Sequence, residues 1–224
     1  MSTLCREIAQ MIDHSLLRPE LTDEDIKQGC EIAKKYGVAT VCCNPSAVLL
    51  AKKYLDGSNV KVTTVVGFPL GYSKTETKVF ETEQAIRDGA LEVDMVLNIG
   101  KLKGHDFEYV KNDIKAVVDV AHKSRVKVKV ILENYYLTDE LKKNACRICE
   151  EAGADWVKTS TGFAPGGATL EDLRLMRQSV SDNVQIKAAG GIRSLDMAIK
   201  VKEAGCSRFG ATATVKILEE CNEK

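Results

Sequence analysis

The residues with the most chemical potential sit in one run, Asp155-Trp156-Val157-Lys158-Thr159-Ser160-Thr161-Gly162-Phe163. It reads as a short buried strand that carries a lysine straight into a loop of small residues. Desolvating an ammonium works against its charged form, so a lysine kept in such a place serves as a base or an amine nucleophile. The alternative is a stem that snorkels to the strand's end and leaves a solvated head. A second lysine, Lys187 in QIKAAGG, lies on a later apolar segment. Burial and a neighbouring ammonium both lower a lysine's pKa from its model value of about 10.4. A neutral Lys158 could attack a carbonyl and form a Schiff base, an electron sink for making or breaking a C–C bond. That chemistry needs proton transfers, for which Asp94 in EVDMVLN is a suitably placed carboxylate.

The elements that must position these groups form a repeat. A short N-terminal helical stretch precedes a first strand at residues 11–14. Further strands are expected at 38–42, 60–66, 92–98, 126–133, around Lys158, at 184–189 and, very short, at 206–210. Helices are expected between them, the first capped at Thr22 with an acidic first turn and an apolar stripe of Ile26, Cys30 and Ala33. One starts at about Pro45 and ends near Gly57, one runs from about 74 to 88, and the clearest stripe is Phe107, Val110, Ile114, Val117, Val118 and Ala121. Others cover 138–152, follow Thr169, cover 194–204 and take the C-terminus. Four units share one seam, a helix end, a glycine and a strand: YGVATV, DGALEV, AGADWV and AGCSRF. Eight strands alternating with eight helices predict a closed (β/α)8 barrel, a TIM barrel, as one domain over residues 1–224. A doubly wound sheet would want a Gly-rich dinucleotide turn after the first strand, and His14-Ser15-Leu16-Leu17-Arg18 is not one.

Alternate residues of a barrel strand point inward. On that parity Asp13, Asp94, Lys129, Glu133, Lys158 and Lys187 project into the barrel, where charges must pair. A purely structural ion-pair plug at the base would account for Lys127 and Lys129. It accounts less well for Lys158, which lies near the C-terminal end of its strand, where barrel sites are built. Trp156 shares the parity of Lys158 and is expected in the lower layer. His14 reads as a hydrogen-bonded structural residue, and His105 and His122 as solvated. Small-residue turns follow the last three strands: Gly162 with Gly166-Gly167, Gly190-Gly191-Ile192-Arg193, and Gly210-Ala211-Thr212. Backbone N–H groups at such turns bind phosphate. Arg193 is either a phosphate contact or a surface charge at a helix start.

Composition narrows the rest. The 224 residues are 44% hydrophobic and 29% charged, with 32 basic and 32 acidic side chains. Zero net charge favours neither nucleic acid nor a membrane surface as partner. No apolar run reaches membrane-spanning length, and the N-terminus does not read as a signal peptide. The eight cysteines, including Cys42-Cys43 and Cys146-x-x-Cys149, lack paired zinc spacing. They are expected to be reduced, small apolar fillers in a cytoplasmic protein.

EVDMVLNIG (92–100), VKVILE (128–133), VKTSTGF (157–163) and KAAGGIR (187–193), with DHSLL (13–17) and RFGAT (208–212), resemble the 2-deoxyribose-5-phosphate aldolase family over essentially the whole chain. The resemblance implies a metal-free class I aldolase, without a cofactor. Such an enzyme reversibly cleaves 2-deoxy-D-ribose 5-phosphate to acetaldehyde and D-glyceraldehyde 3-phosphate. It makes Lys158 the Schiff-base lysine, Lys187 the lysine that perturbs it, and Asp94 the carboxylate that moves protons through a water. Gly162, Gly190, Gly191 and Arg193 match phosphate-binding positions, to which Gly210 and Thr212 of the last turn are added. Cys42 matches a site-facing position, and Asp13, Glu133 and Thr159 are expected to line the site. Departures from the common family pattern are Ala211-Thr212-Ala213 in place of small-Ser-Ser, Ala189 for Ser, and Asn134 for Thr. Barrels of this type are commonly dimers or tetramers, so a homo-oligomer is expected. Two alternatives stay open: a Schiff-base barrel aldolase for another phosphorylated sugar, and a phospho-ligand-binding barrel whose lysines only pair with carboxylates.

Overall fold

The computed structural model describes residues 2–223. Eight parallel strands pair in chain order, and the eighth returns to the first to close a barrel. They are β1 (Ile12–Leu16), β2 (Thr40–Cys43), β3 (Lys61–Val66), β4 (Glu92–Val96), β5 (Lys127–Ile131), β6 (Trp156–Lys158), β7 (Gln185–Ala188) and β8 (Arg208–Ala211). Around them lie α1 (Thr3–Ala9), α2 (Asp23–Tyr36), α3 (Val48–Leu55), α4 (Thr75–Asp88), α5 (Ile99–Lys103), α6 (Phe107–Lys123), α7 (Asp139–Glu151), α8 (Leu170–Ser179), α9 (Leu195–Glu203) and α10 (Thr214–Asn222). The (β/α)8 barrel expected from the repeat is the observed fold.

Local chemistry explains the boundaries. Thr22 and Asp25 form a reciprocal capping box at the start of α2, and Gly37 ends it at φ 63, a left-handed conformation that suits glycine. Thr138, Thr169 and Ser194 cap α7, α8 and α9. Strand residues of the second parity, Val93 and Met95 on β4 with Val128 and Val130 on β5, are fully buried against the helices. Most strands are shorter than the apolar runs suggested, because the chain turns into rim loops and helix starts while single inter-strand bonds such as Leu97 N to Ile131 O and Leu132 N to Lys158 O still continue the pairing. Residues beyond β4 illustrate this: Asn98 leaves the strand and caps the extra helix α5 through Lys101 N at 3.1 Å. The helix expected from Pro45 opens as a 3-10 turn, Pro45–Ala47, before α3.

One expectation fails. Cys5 and Cys221 form a disulfide, so the cysteines are not all reduced. Closing the barrel sets α1 beside α10, which brings together two residues 216 positions apart, with Cα atoms 5.7 Å from each other. No local spacing signals such a pair. The other six cysteines are free and buried, as apolar fillers are.

Candidate active site

Each inward-facing charge arrives at its position through strand register. Lys158 lies opposite Lys187 across β6 and β7, Asp94 opposite Lys129 across β4 and β5, and Ile131 opposite Lys158. The result is a chain of ion pairs across the barrel axis. Asp94 Oδ2 accepts from Lys158 Nζ and Lys187 Nζ, both at 2.7 Å, while its Oδ1 accepts from Lys129 Nζ at 2.8 Å. Lys187 also donates to Asp13, which accepts from Thr40 Oγ1 at 2.8 Å and from Arg208 at 2.6 Å. Lys129 reaches Glu92 at 2.5 Å and Asp13 at 3.6 Å, and Arg208 reaches Glu92 at 3.2 Å. Below them Trp156 offers its ring to Lys129 and Arg208, with cations 5.6 and 5.4 Å from its centroid, and donates to Ser207. Trp156 therefore lies in the lower layer its parity implies.

The cluster has an unequal charge count. Asp13, Asp94 and Glu92 face Lys129, Lys158, Lys187 and Arg208, all buried or nearly so. Within this ion-pair network three anions face four cations, one excess positive charge in a medium that solvates it poorly; Glu133, whose carboxyl burial pushes up, lies nearby outside the network. Burial alone would push every one of these cations down. On Lys129 three carboxylates outweigh burial, and on Lys187 and Arg208 two each do, so their pKa values rise. Lys158 has only Asp94, and Lys187 repels it, so burial wins and its pKa falls. Lys158 is the one of these four cations whose pKa is lowered. Burial would raise Asp94, but the ammoniums of Lys129, Lys158 and Lys187 together hold it well below the usual carboxylate range. Burial, then the charge of Asp94, pushes the Cys42 thiol up to about 11, so the site-facing cysteine is neutral beside the lysines.

The turns after β6 and β7 follow their strands as expected, but Gly210 and Ala211, expected in a turn after the last strand, lie within β8, which runs to Ala211 and leaves only Thr212 beyond it. Glu133, at φ 55, lies two residues beyond β5, and its Oε2 accepts from Thr161 N at 3.2 Å and from Thr161 Oγ1. Thr159 turns its hydroxyl to Ala189, donating to the carbonyl at 3.1 Å and accepting from the amide at 3.0 Å. It braces β7 and has no hydroxyl to spare. The turn after β6 rests on the turn after β7: Ala168 N donates to Ala189 O and Gly190 O at 3.0 and 3.1 Å. A Cβ on Gly167 would lie 2.7 Å from Gly190 O, so only glycine allows this approach. Gly210 flanks Lys187, whose Cε would lie 4.0 Å from a Cβ there. Gly191 and Arg193 are solvent-exposed before α9. Lys127, offered above to a plug at the base, instead sits outside it and pairs with Asp155 at 2.6 Å. His14 is buried against Thr214 Oγ1 at 2.8 Å, as a structural histidine should be. Sequence reasoning did not assign Arg208, Thr40 or Thr161 to this cluster. Arg208 alone carries a signal, a charge on the inward parity of β8. Among the described residues no group of three His, Cys, Asp or Glu side chains converges as a metal site.

A (β/α)8 barrel with a depressed lysine at the C-terminal end of a strand, held by a carboxylate and a second lysine, is the architecture of an aldolase-type lyase. The profile of the "DeoC/LacD family aldolase" matches residues 7–218. This chain belongs to that family. A deoxyribose-phosphate aldolase of Thermococcus kodakarensis is 56% identical over 216 residues, covering 96% of each chain. One from Thermoanaerobacter sp. is 55% identical over 217 residues, covering 96% of this chain and 97% of its own. Among solved structures, the tetrameric deoxyribose phosphate aldolase of Aeropyrum pernix superposes with a TM-score of 0.91 at 30% identity, covering 97% of this chain and 92% of that one. A putative deoxyribose-phosphate aldolase of Coccidioides immitis gives 0.94 at 42% identity, covering 97% and 87%.

Proposed function

We propose that this chain reversibly cleaves 2-deoxy-D-ribose 5-phosphate to acetaldehyde and D-glyceraldehyde 3-phosphate, with Lys158 as the Schiff-base nucleophile. The observation that carries the assignment is the buried Lys158 Nζ sharing Asp94 Oδ2 with Lys187 Nζ, each at 2.7 Å, where burial and the Lys187 charge lower the Lys158 pKa. Neutral Lys158 Nζ adds to C1 of the open-chain sugar, and loss of water leaves an iminium. The C2–C3 bond breaks as a base takes the C3 hydroxyl proton; C3 leaves as the aldehyde carbon of glyceraldehyde 3-phosphate, and the electron pair of the broken bond enters the enamine. Protonation of that enamine at C2 and hydrolysis return acetaldehyde and Lys158.

Asp94 is the proton carrier. It touches Nζ directly, within reach to take and return protons at the reacting nitrogen and carbons. Burial, with the Lys187 charge beside it, lowers the pKa of Lys158. Gly162, Gly190, Gly191, Gly210 and Thr212, with Arg193, form the phosphate end on the rim, and Asp13 and Cys42 line the floor.

The barrel acts as a single aldolase domain over residues 1–224, in the cytoplasm. Among the described residues no helix is long and apolar enough to cross a membrane. A homo-oligomer of two or four chains would cover exposed Leu70, Tyr72 and Phe80, in line with the tetrameric relative.

Borohydride trapping with acetaldehyde, mapped by peptide mass against Lys158→Ala, tests the assignment. A single adduct on Lys158 is expected. Adducts scattered over surface lysines with Lys158 unmodified would instead favour a binding barrel.

A further inference from the structure

Among the non-glycine residues with positive φ, His105 and Arg125 lie in exposed turns, and only Glu133 is buried. A glutamate is a poor choice for a left-handed position, where glycine costs nothing. Such an outlier points to a demand on the side chain. That side chain reaches across to the next strand: Oε2 takes both the backbone N–H and the hydroxyl of Thr161. Thr161 Oγ1 in turn accepts from Phe163 N at 3.0 Å, so one carboxylate oxygen organises both ends of the Thr161-Gly162-Phe163 turn. The backbones beside it are already zipped, with Leu132 N on Lys158 O and Asn134 N on Thr159 O, both at 2.9 Å. The ladder therefore secures Lys158 without Glu133. The side-chain hydrogen bonds of Glu133 go wholly to the turn beyond. Its second oxygen, Oε1, is buried without a partner, a cost that packing alone would not retain.

We propose that Glu133 is a positioning residue, fixing the Thr161-Gly162-Phe163 turn in the shape that receives the substrate's phosphate. The proposal rests on the aldolase reading above and on the phosphate end lying at this turn.

Steady-state kinetics with 2-deoxyribose 5-phosphate, set beside borohydride trapping of Lys158 by acetaldehyde, separates the two ends of the site. Glu133→Ala should raise KM for the phosphorylated sugar about tenfold or more. Trapping by acetaldehyde, which has no phosphate, should slow by less than about threefold. Glu133→Gln, whose amide oxygen accepts the same two bonds, should restore KM to within about threefold of wild type. Glu133→Gly relieves the left-handed backbone, so it should fold with a near-wild-type melting temperature and still show the raised KM. An unchanged KM in Glu133→Ala and Glu133→Gly overturns the proposal. So does a parallel loss of KM and trapping, or a Gln variant as impaired as Ala. Absence of a Lys158 adduct in the wild-type protein would overturn the aldolase reading instead.

Discussion

Lys158 and Lys187 stand opposite each other across β6 and β7 and donate to the same oxygen, Asp94 Oδ2, each at 2.7 Å. Sharing one anion is what makes them unequal, because Lys187 has Asp13 in addition and Lys158 has nothing else. Lys187→Met should therefore act on the acidity of its neighbour. It removes a repelling ammonium and leaves Oδ2 to Lys158 alone, and both changes favour the charged form. The pH of half-maximal borohydride trapping should move up by about one unit or more. Initial trapping rates between pH 6 and 11 check this, and an unmoved or lowered midpoint rejects the role given to Lys187.

The charge count makes a second prediction, further from the reacting nitrogen. Lys129→Met leaves three carboxylates and three cations, so neutrality then needs Lys158 charged. Trapping at pH 7 should fall about tenfold, and stability should drop by about 3–5 kcal/mol as Glu92 and Asp94 each lose one of their buried ammonium partners, Glu92 keeping Arg208. Adding Glu92→Gln restores the original excess of one cation and should recover much of both losses. Trapping rates and urea unfolding of the single and double variants test it; a double variant no better than the single would refute the balance argument.

Gly167 faces backbone on its only open side, with Gly190 O and C at 2.7 and 2.8 Å from a would-be Cβ. Neither atom can swing aside like a side-chain tip. Gly167→Ala should part the two rim turns and raise KM for the phosphorylated sugar about tenfold, with the Lys158 imine still forming. Kinetics with equal KM in variant and wild type would show that the contact between the turns has no bearing on binding.

His14 is held neutral by burial, its pKa down to about 4 from an ordinary 6.5. Between those values the unfolded chain binds the proton and the folded chain does not, so stability falls as pH falls. The loss begins below pH 6.5 and is complete by about pH 4, reaching about 3 kcal/mol. Urea unfolding at pH 7 and pH 4 should show His14→Gln losing less stability than wild type by that amount. Equal losses would mean His14 does not titrate across this window.

Much of this molecule was legible in one dimension. The glycine seams, the capped helix starts and the alternation of strand with helix are local signals, set by backbone sterics and side-chain periodicity, and they imply a closed barrel. Period-two alternation then places Asp13, Asp94, Lys129, Lys158 and Lys187 on one inner surface, because a strand cannot turn one residue without turning its neighbours. The resemblance in VKTSTGF and KAAGGIR added their roles. Register and closure belong to the tertiary structure. Only the ladder sets Lys158 opposite Lys187, and only the returning β8 brings Arg208 to Asp13 and Glu92, which fixes the pairing and hence which lysine has its pKa lowered. The buried pair Lys78–Asp113, 2.5 Å apart between α4 and α6, has the same origin. So does the Cys5–Cys221 disulfide, joined across a closure seam between residues that share no local pattern. Pairing across space depends on where the chain returns, and no short stretch of residues encodes that.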